Sequence, residues 1–428
     1  MTTADAKLES PVAFQAIIKP YGGKCNLACS YCYYQSDEQA HPKGSPRMTK
    51  GLLETFTRQY IEAQQVPEVT FNWQGTEPLL MGPGFFQQVV DFQHKYHRPD
   101  MTIYNIVQTN GLLLDDDWCH FFRANGFLIV IGIDGPGSRH DSVRVDNDGQ
   151  PTLEPVLGKV ELLHKHGVEF NTLTRVHAGN ADYPLDIYRF LRDTVKTHFM
   201  QFIPVVIPEG ESITESSVTG RQYGDFLKRI FNEWVRLDVE TVSVDIITAA
   251  ILTWLGQQPD LCIFQETCGR DLVLEYNGDV YACDRSIEPG HYLGNIKRKS
   301  LAELASSEQQ VQFGLAKRDS LPACCSRCQA RFVCNGGCPK NRVLRTPDGE
   351  AGLNCLCEGY LDFFNYIGPA MKFMIEGSAA DRSPANVMYY IAQQDALLQM
   401  MLAQAVPDNP CPCGSGLLFK DCHGHQDV

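Results

Sequence analysis

No stretch of this 428-residue sequence is apolar for long enough to cross a bilayer, and its start, MTTADAKLESPVAF, lacks the basic segment and apolar core of a secretion signal. Both absences predict a cytoplasmic protein with no membrane partner. Positive charge is also short. Lys and Arg number 37 against 51 Asp and Glu, for a formal net charge of -14, and so small a supply of cations argues against a nucleic-acid partner, because phosphate binding draws on clustered Lys and Arg. Cysteine is almost missing from the interval between Cys32 and Cys262, where Cys119 stands alone in a helix-like stretch and reads as a small buried apolar residue.

Elsewhere cysteine is abundant. Seventeen are present, an odd number, and thiols in a reducing compartment point to metals rather than to disulfides. The layout around them is regular. The segments AFQAIIKP, EVTFNWQG, MTIYNIVQTNG, FLIVIGIDG, VEFNTLTRV and HFMQFIPV are rich in Val, Ile, Phe and Thr and read as strands. Amphipathic segments such as KGLLETFTRQYIEAQ and GFFQQVVDFQHKYH lie between them and read as helices. Repeated βα units need parallel neighbours joined by crossover helices. The expected fold class is therefore α/β, a partial (β/α)6 TIM-like barrel with its chemistry at the C-terminal strand ends. We expect the barrel over residues 1–235, a cysteine-rich unit over 236–376, a helical connector over 377–408 and a small terminal module over 409–428.

Cys25-x3-Cys29-x2-Cys32 follows the first strand, where thiolates suit iron–sulfur clusters or zinc. On a four-iron cluster three thiolates leave one iron open; on zinc they need a fourth ligand from elsewhere. The second concentration includes Cys262, Cys268, Cys283, Cys325, Cys328, Cys334, Cys338 and Cys357. Eight thiolates fully ligate two four-iron clusters, while paired zinc ribbons also use CxxC knuckles. The tail, NPCPCGSGLLFKDCHGH, offers Cys411, Cys413, Cys422 and His423 as four tetrahedral zinc ligands.

CxxxCxxC on a post-strand loop resembles the radical S-adenosylmethionine superfamily, which implies a 4Fe-4S cluster on Cys25, Cys29 and Cys32 with S-adenosylmethionine on the open iron. The resemblance implies further cofactor contacts: Tyr33 beside the adenine, and Gly75 and Glu77 of WQGTEP receiving the ammonium group. It extends to strand-end residues Gln108, Asn110 and Asp134, and to Arg144 pairing bidentately with the cofactor carboxylate. Two departures stand out: Thr76 replaces a Gly, and Gly132 replaces a Ser or similar residue.

The second cysteine region resembles the SPASM extension, which implies two auxiliary 4Fe-4S clusters, one on Cys262, Cys268, Cys283 and Cys338, the other on Cys325, Cys328, Cys334 and Cys357. QETCGRDLVLEYNGDVYACDRSIEPGHYLGNI, RFVCNGGCPKNR and GLNCLCEGY narrow the likeness to anaerobic sulfatase-maturating enzymes. That family oxidises a Cys or Ser of an unfolded sulfatase to Cα-formylglycine, with a flavodoxin- or ferredoxin-type electron donor, and Asp284 stands at its general-base position. The terminal motif resembles the SEC-C zinc module. Two rival expectations are a SPASM maturase that crosslinks or otherwise modifies ribosomally made peptides, and a redox-inert zinc scaffold.

Overall fold

The computed structural model describes residues 13–32, 46–378, 382–413 and 415–423. Six strands form where the apolar segments lie: β1 (Gln15–Lys19), β2 (Glu68–Trp73), β3 (Thr102–Thr109), β4 (Phe127–Gly132), β5 (Phe170–Val176) and β6 (Phe199–Pro204). Each pairs in parallel with the next in order. A seventh, very short strand, β7 (Ser243–Val244), follows β6 in parallel. The central strand β4, FLIVIG, is buried along almost its whole length, as expected of a parallel strand covered on both faces.

The sheet does not stop at β1. Strand β8 (Asp271–Glu275) pairs in parallel with β1, Gln15 opposite Asp271 through Lys19 opposite Glu275. Antiparallel β9 (Asp279–Tyr281) and β10 (Tyr292–Asn295) extend that edge, giving ten strands in one sheet. The cysteine-rich unit is thus grafted onto the first barrel strand by backbone pairing.

Helices cover the barrel. Helix α1 (Lys50–Ala63) starts where Thr49 Oγ1 accepts from Leu52 N, and buries Leu52, Leu53, Phe56, Tyr60 and Ile61. The Tyr60 hydroxyl accepts from Ala16 N at 3.2 Å and donates to Thr70 O at 3.0 Å, fastening the helix to β1 and β2. Helix α2 (Pro83–Tyr96) and helix α3 (Asp116–Ala124) enclose an aromatic core in which Phe86 meets Trp73, Trp118, Phe122 and Phe127 edge to face. Helix α4 (Leu153–His166) follows β4, and α5 (Pro184–Arg189) follows β5. Helix α6 (Gly220–Leu237), opened by a reciprocal Thr219–Gln222 capping box, packs along the long C-terminal helix. Helix α7 (Asp245–Trp254), α8 (Glu308–Asp319), α9 (Cys357–Ser378) and α10 (Asn386–Ala403) complete the chain. Arg236 holds α10 to α6 through two bonds to Asp395, at 2.8 and 2.9 Å. Among the described residues no helix is long and apolar enough to cross a membrane.

Candidate functional site

The loop after β1 carries the N-terminal cysteine trio and is clipped to residues 143–147 by backbone bonds, Ala28 N to Val145 O at 2.8 Å and Ser30 N to Val143 O at 2.9 Å. Asn147 Nδ2 adds a bond to Cys25 O at 3.0 Å. Strand ends gather around the trio. Cys25 Sγ donates to Thr76 O at 3.4 Å, and Asn110 Nδ2 lies 3.8 Å from that sulfur while donating to Asn26 Oδ1 at 2.8 Å. Burial pushes the Cys25 thiol up to about 12 and the Cys29 thiol up to about 11. Bare thiols so placed keep their protons, and a soft metal group must displace them on binding.

Glu77 and Thr76 serve the protein's own framework. Glu77 is 1% exposed. Its Oε1 accepts from Leu79 N at 3.0 Å and Thr109 Oγ1 at 2.9 Å, its Oε2 from Asn110 N at 2.9 Å, so it locks the ends of β2 and β3 together. Thr76 Oγ1 donates to Tyr21 O at 3.1 Å, tying the second strand end to the cysteine loop. Gly75, at φ 120°, lies against Lys19 of β1.

Burial raises Glu77 to about 7 and Asp245, the first residue of α7, whose Oδ1 accepts from Phe202 N, also to about 7. Both groups therefore bind protons more readily folded than unfolded. Their contribution is complete below the ordinary carboxyl range and is lost as pH rises through the folded value. Urea titrations are expected to show stability falling from about pH 4 to about pH 7, less steeply in Asp245→Asn; an unchanged slope in that variant would exclude Asp245 as a source.

Asp134, fully buried just beyond β4, gathers the other side. Its Oδ2 accepts from the Tyr31 hydroxyl at 2.6 Å and Arg144 Nε at 2.8 Å; its Oδ1 accepts from Arg175 N at 2.8 Å and Arg144 Nη2 at 3.3 Å. Burial alone would raise the Asp134 carboxyl, but the Arg144 guanidinium overrides it and holds the group below its usual range. The bidentate partner of Arg144 within the protein is Asp134, which gives a guanidinium only 10% exposed a built-in counter-charge. Gly132 fits the same arrangement. A Cβ there would meet the Arg144 guanidinium at 2.6 Å, so the missing side chain is the space the arginine fills. Behind Arg144, His140 Nδ1 accepts from Asp134 N at 3.2 Å, and burial followed by the Arg144 charge pushes this imidazole down to about 4. Tyr31 went unrecognised from the sequence, although an aromatic between Cys29 and Cys32 was itself a signal. Gln108 lies at the end of β3, and Tyr33 falls outside the described residues.

The eight later cysteines separate into two sets in space. Cys262 lies within electrostatic reach of Cys268, Cys283 and Cys338. Cys325, Cys328, Cys334 and Cys357 line one cavity, closed by Ala330, Arg331 and Leu361. Asp284 is half-buried, accepts from Cys283 Sγ at 3.5 Å and lies within electrostatic reach of Lys19 at the end of β1. Lys19 itself pairs with Glu275 across the β1–β8 boundary at 3.6 Å.

Ligand spacing separates the possible metals. Among the described residues, Cys411, Cys413, Cys422 and His423 are the group whose ligand atoms all come within 4.8 Å of one another. Cys413 Sγ and Cys422 Sγ are 3.6 Å apart, and His423 Nδ1 lies 3.2 Å from Cys411 Sγ and from Cys422 Sγ. Tetrahedral Zn–S bonds of about 2.3 Å place sulfurs about 3.8 Å apart, so this knob fits one zinc ion.

Comparison with known proteins agrees. Residues 20–191 match the Radical SAM superfamily, residues 262–329 an iron–sulfur cluster-binding domain (SPASM), and residues 409–424 the SEC-C motif. A serine-type anaerobic sulfatase-maturating enzyme of Bacteroides thetaiotaomicron is 42% identical over 87% of this chain and 94% of its own. A cysteine-type enzyme of Clostridium novyi (strain NT) is 31% identical over 81% of this chain and 93% of its own. The solved structure of native anSMEcpe with bound AdoMet and Cp18Cys peptide superposes with a TM-score of 0.76 at 29% identity, over 85% of this chain and 99% of that one. With a relative 42% identical that covers most of both chains, the chain belongs to the anaerobic sulfatase-maturating enzyme family.

Proposed function

We propose that this protein oxidises a Ser or Cys side chain of an unfolded sulfatase to Cα-formylglycine, in the cytoplasm, with electrons from a flavodoxin- or ferredoxin-type donor. The observation that carries this reading is the gathering of the ends of β2, β3 and β4 around the cysteine trio that follows β1, with Asp284 within electrostatic reach of Lys19 at the end of β1. Greater identity to the serine-type than to the cysteine-type relative, 42% against 31%, favours acceptance of Ser. The domain ranges expected from the sequence remain our reading of the chain.

Cys25, Cys29 and Cys32 would hold a 4Fe-4S cluster whose fourth iron takes S-adenosylmethionine, the source of a hydrogen-abstracting radical when bound. Cys262, Cys268, Cys283 and Cys338 would hold a nearer auxiliary cluster, and Cys325, Cys328, Cys334 and Cys357 a farther one. Gly75, Gln108, Asn110 and the free edge of Arg144 would border the cofactor, with Tyr33 at its adenine and Glu77 fixing the strand ends beneath it. Asp284 would take the proton from the target's hydroxyl or thiol as its β-carbon radical gives up an electron. The SEC-C knob would hold one zinc as a folding element.

The test is anaerobic incubation of the reconstituted protein with Ser-x-Pro-x-Arg and Cys-x-Pro-x-Arg peptides. The expected mass losses, about 2 Da for Ser and about 18 Da for Cys, follow from atom counting for oxidation by a cofactor. A crosslinked product of another mass, or no product, would favour the peptide-maturase rival. Iron at about twelve per chain follows from three four-iron clusters, with one zinc lost selectively in Cys413→Ser; a colourless, iron-free protein would favour the zinc scaffold.

A further inference from the structure

Helix α8 is polar along its length, EQQVQFGLAKRD, yet Gln310, Gly314 and Lys317 are buried, the two side chains at 2% and 1% exposure. Intervals of four and three residues set them in one stripe. That stripe touches the backbone of three cysteine-bearing turns. Gln310 Nε2 donates to Gly269 O at 3.0 Å and Ala282 O at 3.2 Å, beside Cys268 and Cys283. Cys268 N donates to Gly314 O at 3.1 Å, and a Cβ on Gly314 would lie 2.6 Å from Cys268 O. Lys317 Nζ donates to Cys262 O at 2.7 Å, Ile263 O at 2.9 Å and Gln265 O.

Three carbonyl acceptors require three N–H donors, which an ammonium has and a neutral amine lacks. That geometry suits the ammonium form of Lys317. Its direct partners are neutral dipoles, and the groups within its electrostatic reach that can carry negative charge are Cys268, Cys262 and Cys338. Arg342 Nη1 donates to Lys317 O at 2.7 Å and adds a second cation behind the first.

Resting on the reading that Cys262, Cys268, Cys283 and Cys338 hold an iron–sulfur group, we propose that Lys317 is the built-in counter-charge of that group and raises its affinity for an electron. One electron added to a four-thiolate group adds one negative charge, and a desolvated ammonium at short range stabilises the more negative form. No proton has to accompany that electron, because the compensating charge is fixed in place. Lys317 acts through the cysteine set and is a positioning residue.

The experiment is a redox titration followed by electron paramagnetic resonance on the full chain, reconstituted in a background where Cys25, Cys29 and Cys32 are all Ala. Lys317→Gln, Lys317→Met and Lys317→Arg are compared in that background. The expected result is that one of two auxiliary signals moves to a more negative midpoint in the Gln and Met variants and stays near its original value in the Arg variant. Full iron loading with unshifted midpoints in both neutral variants overturns the proposal and leaves the two-cluster reading intact. Loss of about four irons in both neutral variants, one cluster's worth, with full loading in the Arg variant, reduces Lys317 to a structural clasp and also overturns it. Absence of any iron signal in the parent background refutes the underlying reading.

Discussion

Asp284→Asn is expected to cut formylglycine formation by roughly 10²–10⁴-fold, the usual range for a positioned general base, while release of 5′-deoxyadenosine continues. Removing a hydrogen atom from the target CH₂ leaves a carbon radical, and a C=O or C=S bond forms only once that radical gives up one electron and the attached hydroxyl or thiol gives up its proton. Asn keeps the size of Asp in the same turn, but it cannot take the proton. The signature is uncoupling: cofactor cleaved, peptide mass unchanged. Liquid chromatography with mass detection reads both quantities from one reaction. Parallel loss of both products would instead make Asp284 a structural partner of its turn, and undiminished peptide oxidation would assign the proton to another group.

Asp134→Ala should produce the largest loss of stability among single substitutions at the site, about 3–5 kcal/mol, the cost of breaking a buried ion pair by removing one partner. Its two oxygens answer Tyr31, Arg144 and Arg175 N. Without them the Arg144 guanidinium is left charged and buried, and the Tyr31 hydroxyl loses its acceptor. Because Tyr31 lies between Cys29 and Cys32, the damage passes to the trio, and iron content should fall by about four per chain, one cluster's worth. A shift in urea midpoint together with that iron loss is the expected pair of measurements. Asp134→Asn combined with Arg144→Gln, which removes both charges together, should recover much of the midpoint. If Asp134→Ala alone leaves midpoint and iron content unchanged, the network has no such role.

Six parallel strands were legible because each is a compact Val, Ile and Phe segment bounded by turn residues, and parallel strands buried on both faces need that composition. The cysteine spacings were legible for a related reason, since ligands a few residues apart on one loop encode their own geometry. Arg144 was harder. Its charge and place after a strand end suggested a ligand, whereas its partner Asp134, ten residues upstream, is chosen by the burial of both. Glu77 likewise carries no local sign that three protein donors converge on it. The buried stripe of α8 was invisible for the opposite reason. Gln310 and Lys317 look like a solvated helix face until the turns carrying Cys262, Cys268 and Cys283 arrive to cover them. The extension of the sheet beyond β1 was also missed, since nothing in QAIIK names a neighbour roughly 250 residues away.

That neighbour has a consequence for biosynthesis. Strand β1 leaves the ribosome well before its partner, yet among the described residues one of its two edges is paired by Asp271–Glu275. At about 5–20 residues per second, some 250 residues take on the order of 10–50 s to emerge. Throughout that interval the nascent chain presents an open hydrogen-bonding rim next to three reactive thiols. Swapping partners with another emerging copy is therefore the characteristic hazard of making this protein, and slow translation at low temperature should worsen it.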